Sequence, residues 1–191
     1  MKKAAGMILM LLLLLCGCGG GREEVDAIQS RYAAAECVRI EAEVTCHLAG
    51  ESRSFTVQSI CEDGGATTTV LAPEEIAGIS ATVTGDELLI TYDSAALAAG
   101  QMTVLSPANC AAYLLRAVAE GYVLEHGEET IDGMDCLRVA FDTTAADEEK
   151  ILCTVWFERA TQTPCYAEFA RDGAVRLTVR TLSFEMTGKE E

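Results

Sequence analysis

Val38-Arg39-Ile40-Glu41-Ala42-Glu43-Val44-Thr45-Cys46-His47-Leu48 alternates apolar and polar residues over eleven positions. Side chains of an extended chain point to opposite faces in turn, so this run predicts a long antiparallel strand with one dry and one wet face. The rest of the fold can be read outward from it.

Upstream, Glu24 to Ala35 is predicted to be a helix. Val25, Ile28 and Tyr32 recur at three and four residues and make one apolar stripe. Glu24 and Asp26 sit near its start, where the helix dipole favours negative charge. Downstream, Gly50 marks a turn, and Ser54 to Glu62 return with Phe55 and Val57 inward. Gly64-Gly65 turns into Thr67 to Ala72, rich in β-branched residues. Pro73-Glu74-Glu75 breaks the pattern with one helical turn, and Ile79 to Tyr92 reads as a hairpin about Gly85-Asp86. Ser106-Pro107 is predicted to open a second helix, with Cys110, Tyr113, Leu114, Ala117 and Val118 on one side and Gly121 ending it. Strands follow at Tyr122 to Glu128, Met134 to Thr143, Lys150 to Glu158 and Pro164 to Arg171. The turn Asp172-Gly173 leads into a last strand, Ala174 to Met186. The expected class is α+β. About ten sequential strands form a meander that is too wide to stay flat. It should curl into an open barrel with two or three helices over its mouth.

The first residues carry a different message. Lys2 and Lys3 precede an uncharged run from Ala4 to Leu15, the order of a secretory signal. That run is shorter than the roughly 20 residues a membrane span needs. It ends in Leu15-Cys16-Gly17-Cys18, which resembles the bacterial lipobox. The resemblance implies cleavage before Cys18 and a diacylglyceryl thioether on it, holding the chain on the extracytoplasmic face of the cell membrane. On this reading residues 1–17 are a signal peptide, residues 18–23 a lipid-anchored glycine-rich linker, residues 24–187 one domain and residues 188–191 a tail.

Charge narrows the partners. The chain has 14 basic and 30 acidic residues. Losing Lys2 and Lys3 leaves 12 basic residues and a net charge of −18. Phosphates would be repelled, so nucleic acid is excluded and the domain should stand off anionic headgroups. Of nine cysteines, Cys37, Cys46, Cys61, Cys110, Cys136, Cys153 and Cys165 remain in the domain. Their number is odd, and no C-x-x-C occurs among them. Mostly buried free thiols are expected, with room for one or two long-range disulfides. Free thiols outside the cytosol would suit an organism living without oxygen.

The pattern as a whole resembles a known group. Thr154-Val-Trp-Phe-Glu, Thr163-Pro164-Cys-Tyr-Ala-Glu-Phe-Ala-Arg-Asp-Gly173 and Leu177-Thr-Val-Arg-Thr-Leu-Ser-Phe184 are similar to the closing strands of the LolA/LolB-like lipoprotein carrier superfamily. Ala72-Pro-Glu-Glu-Ile-Ala-Gly-Ile79 looks nearest to the clostridial germination lipoproteins, the GerS-like proteins. The resemblance implies an open barrel with a hydrophobic cavity that holds acyl chains of lipids or lipoproteins. For the germination group it implies instead an adaptor that binds a cell-wall amidase or other envelope enzyme.

No chemistry competes with binding. His47 and His126 stand apart from other ligands, and no G-x-S-x-G, S-x-x-K or phosphate-binding glycine loop is present. No cofactor or metal is expected, and Asp132 with Asp135, like Asp147-Glu148-Glu149, reads as a solvated turn. The inward residues Val38, Ile40, Val44, Val57, Leu137, Val139, Phe141 and Val155 are the candidate ligand-binding wall; packed core is the alternative.

Overall fold

A computed structural model describes residues 20–48, 50–85, 87–101, 105–143 and 150–188. The signal peptide, Cys18 and the acidic Asp147-Glu148-Glu149 lie outside the described residues.

Helix α1 (Gly20–Ala33) leads into β1 (Ala35–Leu48), β2 (Glu51–Glu62), β3 (Gly65–Ala72), β4 (Ser80–Thr84), β5 (Glu87–Tyr92) and β6 (Ala95–Gln101). Helix α2 (Cys110–Glu120) then connects to β7 (Tyr122–Ile131), β8 (Met134–Asp142), β9 (Ile151–Glu158), β10 (Thr163–Arg171) and β11 (Ala174–Gly188). The strands form one antiparallel sheet of 11, ordered β6-β5-β4-β3-β2-β1-β11-β10-β9-β8-β7. Two meanders are therefore joined along their longest strands, with Ile40 opposite Phe184 and Val44 opposite Val179. Its two edges, β6 and β7, do not meet. This is the open, helix-plugged barrel expected.

The first-strand reading holds: Val38, Ile40, Ala42 and Val44 are buried and face the helices. The α1 stripe of Val25, Ile28 and Tyr32 is buried as well, and the Tyr32 ring meets Phe157 at 5.9 Å and Phe184 at 6.0 Å on the sheet. Two Asp-Gly hairpin turns appear where expected. Their φ values are +51° and +82° at Asp132-Gly133, and +54° and +75° at Asp172-Gly173. Positive φ at both turn positions matches the twist of the flanking strands, and glycine adopts it freely.

Five expectations need correction. Helix α1 begins at Gly20 rather than at Glu24, with Gly21 seated against β7. A Cβ there would lie 2.8 Å from the His126 ring, and Arg22 pairs with Asp26 one turn on. At its other end α1 stops at Ala33, and Ala35 already belongs to β1. The second turn is Asp63-Gly64, with Gly65 in β3. Helix α2 begins at Cys110 rather than at Ser106. Residues 106–109 form a turn in which the Ser106 N–H and hydroxyl both donate to Asn109 Oδ1, at 2.8 and 3.3 Å. Strand β6 is one that no periodicity announces. Alanine favours helix, and here pairing with β5, Ile90 opposite Leu97, overrides it.

The helices hold each other's ends. Gln29 of α1 donates to the Val118 and Gly121 carbonyls at 3.1 and 3.0 Å, satisfying acceptors at the end of α2 that have no intrahelical partner. Gly121 closes α2 with its N–H on the Ala117 carbonyl at 2.9 Å. A side chain at Gly121 would place Cβ 2.3 Å from that same oxygen.

Candidate functional site: an apolar cleft beside the second helix

The eight candidate wall residues are packed among core side chains. Val38, Ile40, Val44, Val57, Leu137, Val139, Phe141 and Val155 are all 3% exposed or less and belong to the packed core under α1 and α2. The physical reason is coverage. Both helices pack inside the curved sheet, α1 reaching β7 and α2 reaching β2, β3 and β8, and they share one core with those side chains.

One open space among the described residues lies to one side. One row of side chains crosses the inner face from the centre to the β6 edge: Ile40, Ser59, Thr68, Ala81, Ile90 and Leu97, each paired with the next. Exposure along that row rises from 2% at Ile40 to 8% at Ala81 and 65% at Leu97. Helix α2 covers β2 and β3 and stops there. Where its cover ends, Phe55, Val70, Ile79, Ala81 and Ile90 face the Ser106-Pro107-Ala108 turn across a cavity of about 200 Å³.

Its lining is almost entirely hydrocarbon. The two hydroxyls at its wall are spent within the protein: Thr68 Oγ1 is 2.9 Å from Ser59 Oγ, and Ser106 Oγ donates to Asn109. A guest would find no free polar partner inside, so recognition there is of apolar shape alone. An apolar cavity of about 150 Å³ admits benzene, whereas sites for drug-sized ligands run to about 300 Å³ and more. The cleft therefore suits the end of a hydrocarbon chain, with the rest lying along the exposed wing of β5 and β6.

Other features offer little chemistry. His47 Nδ1 is 3.0 Å from Ser52 Oγ, and Arg180 holds Asp132 Oδ2 at 2.8 Å. Among the described residues no three His, Cys, Asp or Glu side chains gather where they could hold a metal ion. Trp156, a landmark of the sequence resemblance, lies on the face opposite the core. Its indole N–H donates to Glu129 at 2.9 Å, and its ring packs 5.3 Å from Tyr166.

The seven thiols of the domain are all free. Burial, reinforced by the neighbouring Cys37, pushes the Cys61 thiol up to about 12. Burial, with Cys46 nearby, pushes Cys110 up to about 12 as well. Burial also raises Cys153. Cys165 rises to about 12, first through burial and then through its hydrogen bond with Cys136. These thiols stay protonated at neutral pH, and protonated thiols are poor nucleophiles.

The sequence missed the cleft because its wall is shared among β2, β3, β4, β5 and the 106–108 turn. The alternation in Ile79, Ala81 and Val83 marks an inward face, but nothing local says that α2 stops short of it.

No family model matches the chain, and no curated protein does. Solved structures do. A DUF1329 family protein from Desulfovibrio piger has a TM-score of 0.51 and 13% identity, covering 87% of this chain and 91% of the other. An uncharacterized conserved protein from Thermus thermophilus has a TM-score of 0.51 and 9% identity, covering 90% of each. A LolA superfamily protein from Nitrosomonas europaea has a TM-score of 0.49 and 9% identity, covering 89% and 94%. At such identities the likeness is one of fold.

Proposed function

We propose that this chain is a non-catalytic envelope lipoprotein of the LolA-like superfamily that holds an acyl chain in the cleft between β2–β5 and the 106–108 turn. The observation that carries this reading is the cleft itself. Its lining is apolar, its hydroxyls are internally satisfied, and it runs on from half-buried Ile90 to exposed Leu97. The lipobox-like Leu15-Cys16-Gly17-Cys18 supports a diacylglyceryl anchor on Cys18 and a place on the outer face of the cell membrane. Two or more acyl chains make such an anchor stable, since each buried methylene contributes about 0.8 kcal/mol. The acidic domain would then stand off the surface, its cleft free to take a lipid tail.

The test is native mass spectrometry with lipid extraction on residues 18–191 carrying Cys18→Ser, purified from a membrane-containing host. A bound acyl species is expected, and Ala81→Phe, which fills the cleft, should remove it. A clean mass without lipid, unchanged after incubation with phospholipid or fatty acid, overturns the reading.

A further inference from the structure

The two edges of the sheet differ in how their backbone is guarded, which a lipid lying on the inner face does not require. Edge strands offer a row of unpaired backbone N–H and C=O groups, and proteins guard them with charge, cover or bulges. Strand β7 is guarded. It carries Glu125, Glu128 and Glu129, and Arg159 ties Glu128 to Glu24 of α1 at 2.7 and 3.0 Å. Strand β6 is Ala-Ala-Leu-Ala-Ala-Gly-Gln, with no charged residue. Residues Ala95 to Gly100 are all exposed, and among the described residues its one guard is a bulge at the far end, where Gly100 has φ +81°. Apolar side chains stand out on both faces beside it, Leu97 at 65% exposure and Leu89 at 41%.

Charge selects the occupant. Exposed Glu87 and Asp93 stand at opposite ends of the β5–β6 hairpin, so the uncharged edge is bracketed by negative groups. A second copy pairing antiparallel along β6 would bring Asp93 of one chain towards the Glu87 end of the other. Like charges placed opposite each other oppose that arrangement. A strand with basic ends meets both carboxylates favourably.

We propose that β6 is a docking edge for an extended segment of a protein partner, one with an uncharged β-forming centre and Lys or Arg at both ends. The segment adds a twelfth strand through backbone hydrogen bonds. Its inward side chains continue the row from Ile90 to Leu97.

The experiment is a fluorescence-anisotropy titration of the whole chain in lipid nanodiscs, using the labelled peptide Lys-Lys-Thr-Val-Thr-Val-Thr-Lys-Lys and a twin with Glu in place of each Lys. The basic peptide should bind, and its affinity should fall about tenfold as salt rises, because exposed charges are screened. Leu97→Lys should cost about tenfold, whereas Leu124→Lys on the β7 edge should leave binding unchanged. Glu87→Gln with Asp93→Asn should abolish the salt dependence. Equal binding of the acidic twin, or unchanged binding by Leu97→Lys, overturns the proposal. So does sedimentation that finds a dimer dissolved by Leu97→Lys, which would give the edge to a second copy.

Discussion

Cys136 and Cys165 bring their sulfurs within 3.5 Å of each other, yet they belong to strands that are not neighbours. Strand β9 runs between them. A bulge in β10 between Pro164 and Tyr166 turns Cys165 over β9, where its thiol donates to the Trp156 carbonyl at 3.2 Å. Two regular strand spacings amount to about 9.6 Å and a disulfide needs Cα atoms within about 7 Å, so the bulge brings the two thiols into contact without closing a bond.

Incubation with oxidised glutathione should therefore leave both as thiols. Alkylation followed by peptide mass spectrometry would read them out. A Cys136–Cys165 linked peptide in the folded protein would show that β8 and β10 approach each other more closely than the sheet allows.

Raised thiols also make a statement about alkali. Cys61 and Cys110 go from the ordinary 9.0 to about 12 in the folded chain, through burial first. Between those values the unfolded chain loses protons that the folded chain keeps, so stability falls as pH rises. Denaturant midpoints should be level below pH 9 on this account and decline from 9 towards 12. The decline should be shallower in Cys110→Ala after correction for its neutral-pH stability. An equal slope in that variant would exclude the thiol as a cause.

Gly121→Ala should be destabilising by about 1–3 kcal/mol, the usual range for overpacking a close contact. The added carbon would sit 2.3 Å from the Ala117 carbonyl oxygen and 3.0 Å from Phe141 Cβ. Thermal melts by circular dichroism measure it, and an unchanged midpoint would mean that the end of α2 yields easily.

Gln29→Met keeps the size of the side chain and removes the donor that serves Val118 and Gly121. Leaving buried acceptors unpaired costs about 1–3 kcal/mol. Hydrogen exchange should speed up in the last turn of α2 before it does in β1. Uniform acceleration across the molecule would argue against a local role.

The periodicity of two in Val38 to Leu48, the stripe of Val25, Ile28 and Tyr32, and the Asp-Gly pairs at 132 and 172 all carried their structure in the local chain. Side-chain alternation and turn geometry are properties of a few consecutive residues, so one sequence suffices to read them. Which apolar residues form the core and which line a cleft is decided elsewhere. Val44 and Ile90 sit alike on the inward face of a strand, but the first is sealed in the core that both helices join, and the second lines the cleft. The pairing of β1 with β11, and the recruitment of alanine-rich β6 as an edge, likewise depend on partners distant in the chain. Sequence alone determined that there would be a curved sheet with a dry face. The reach of two helices across that face decided where it stays open.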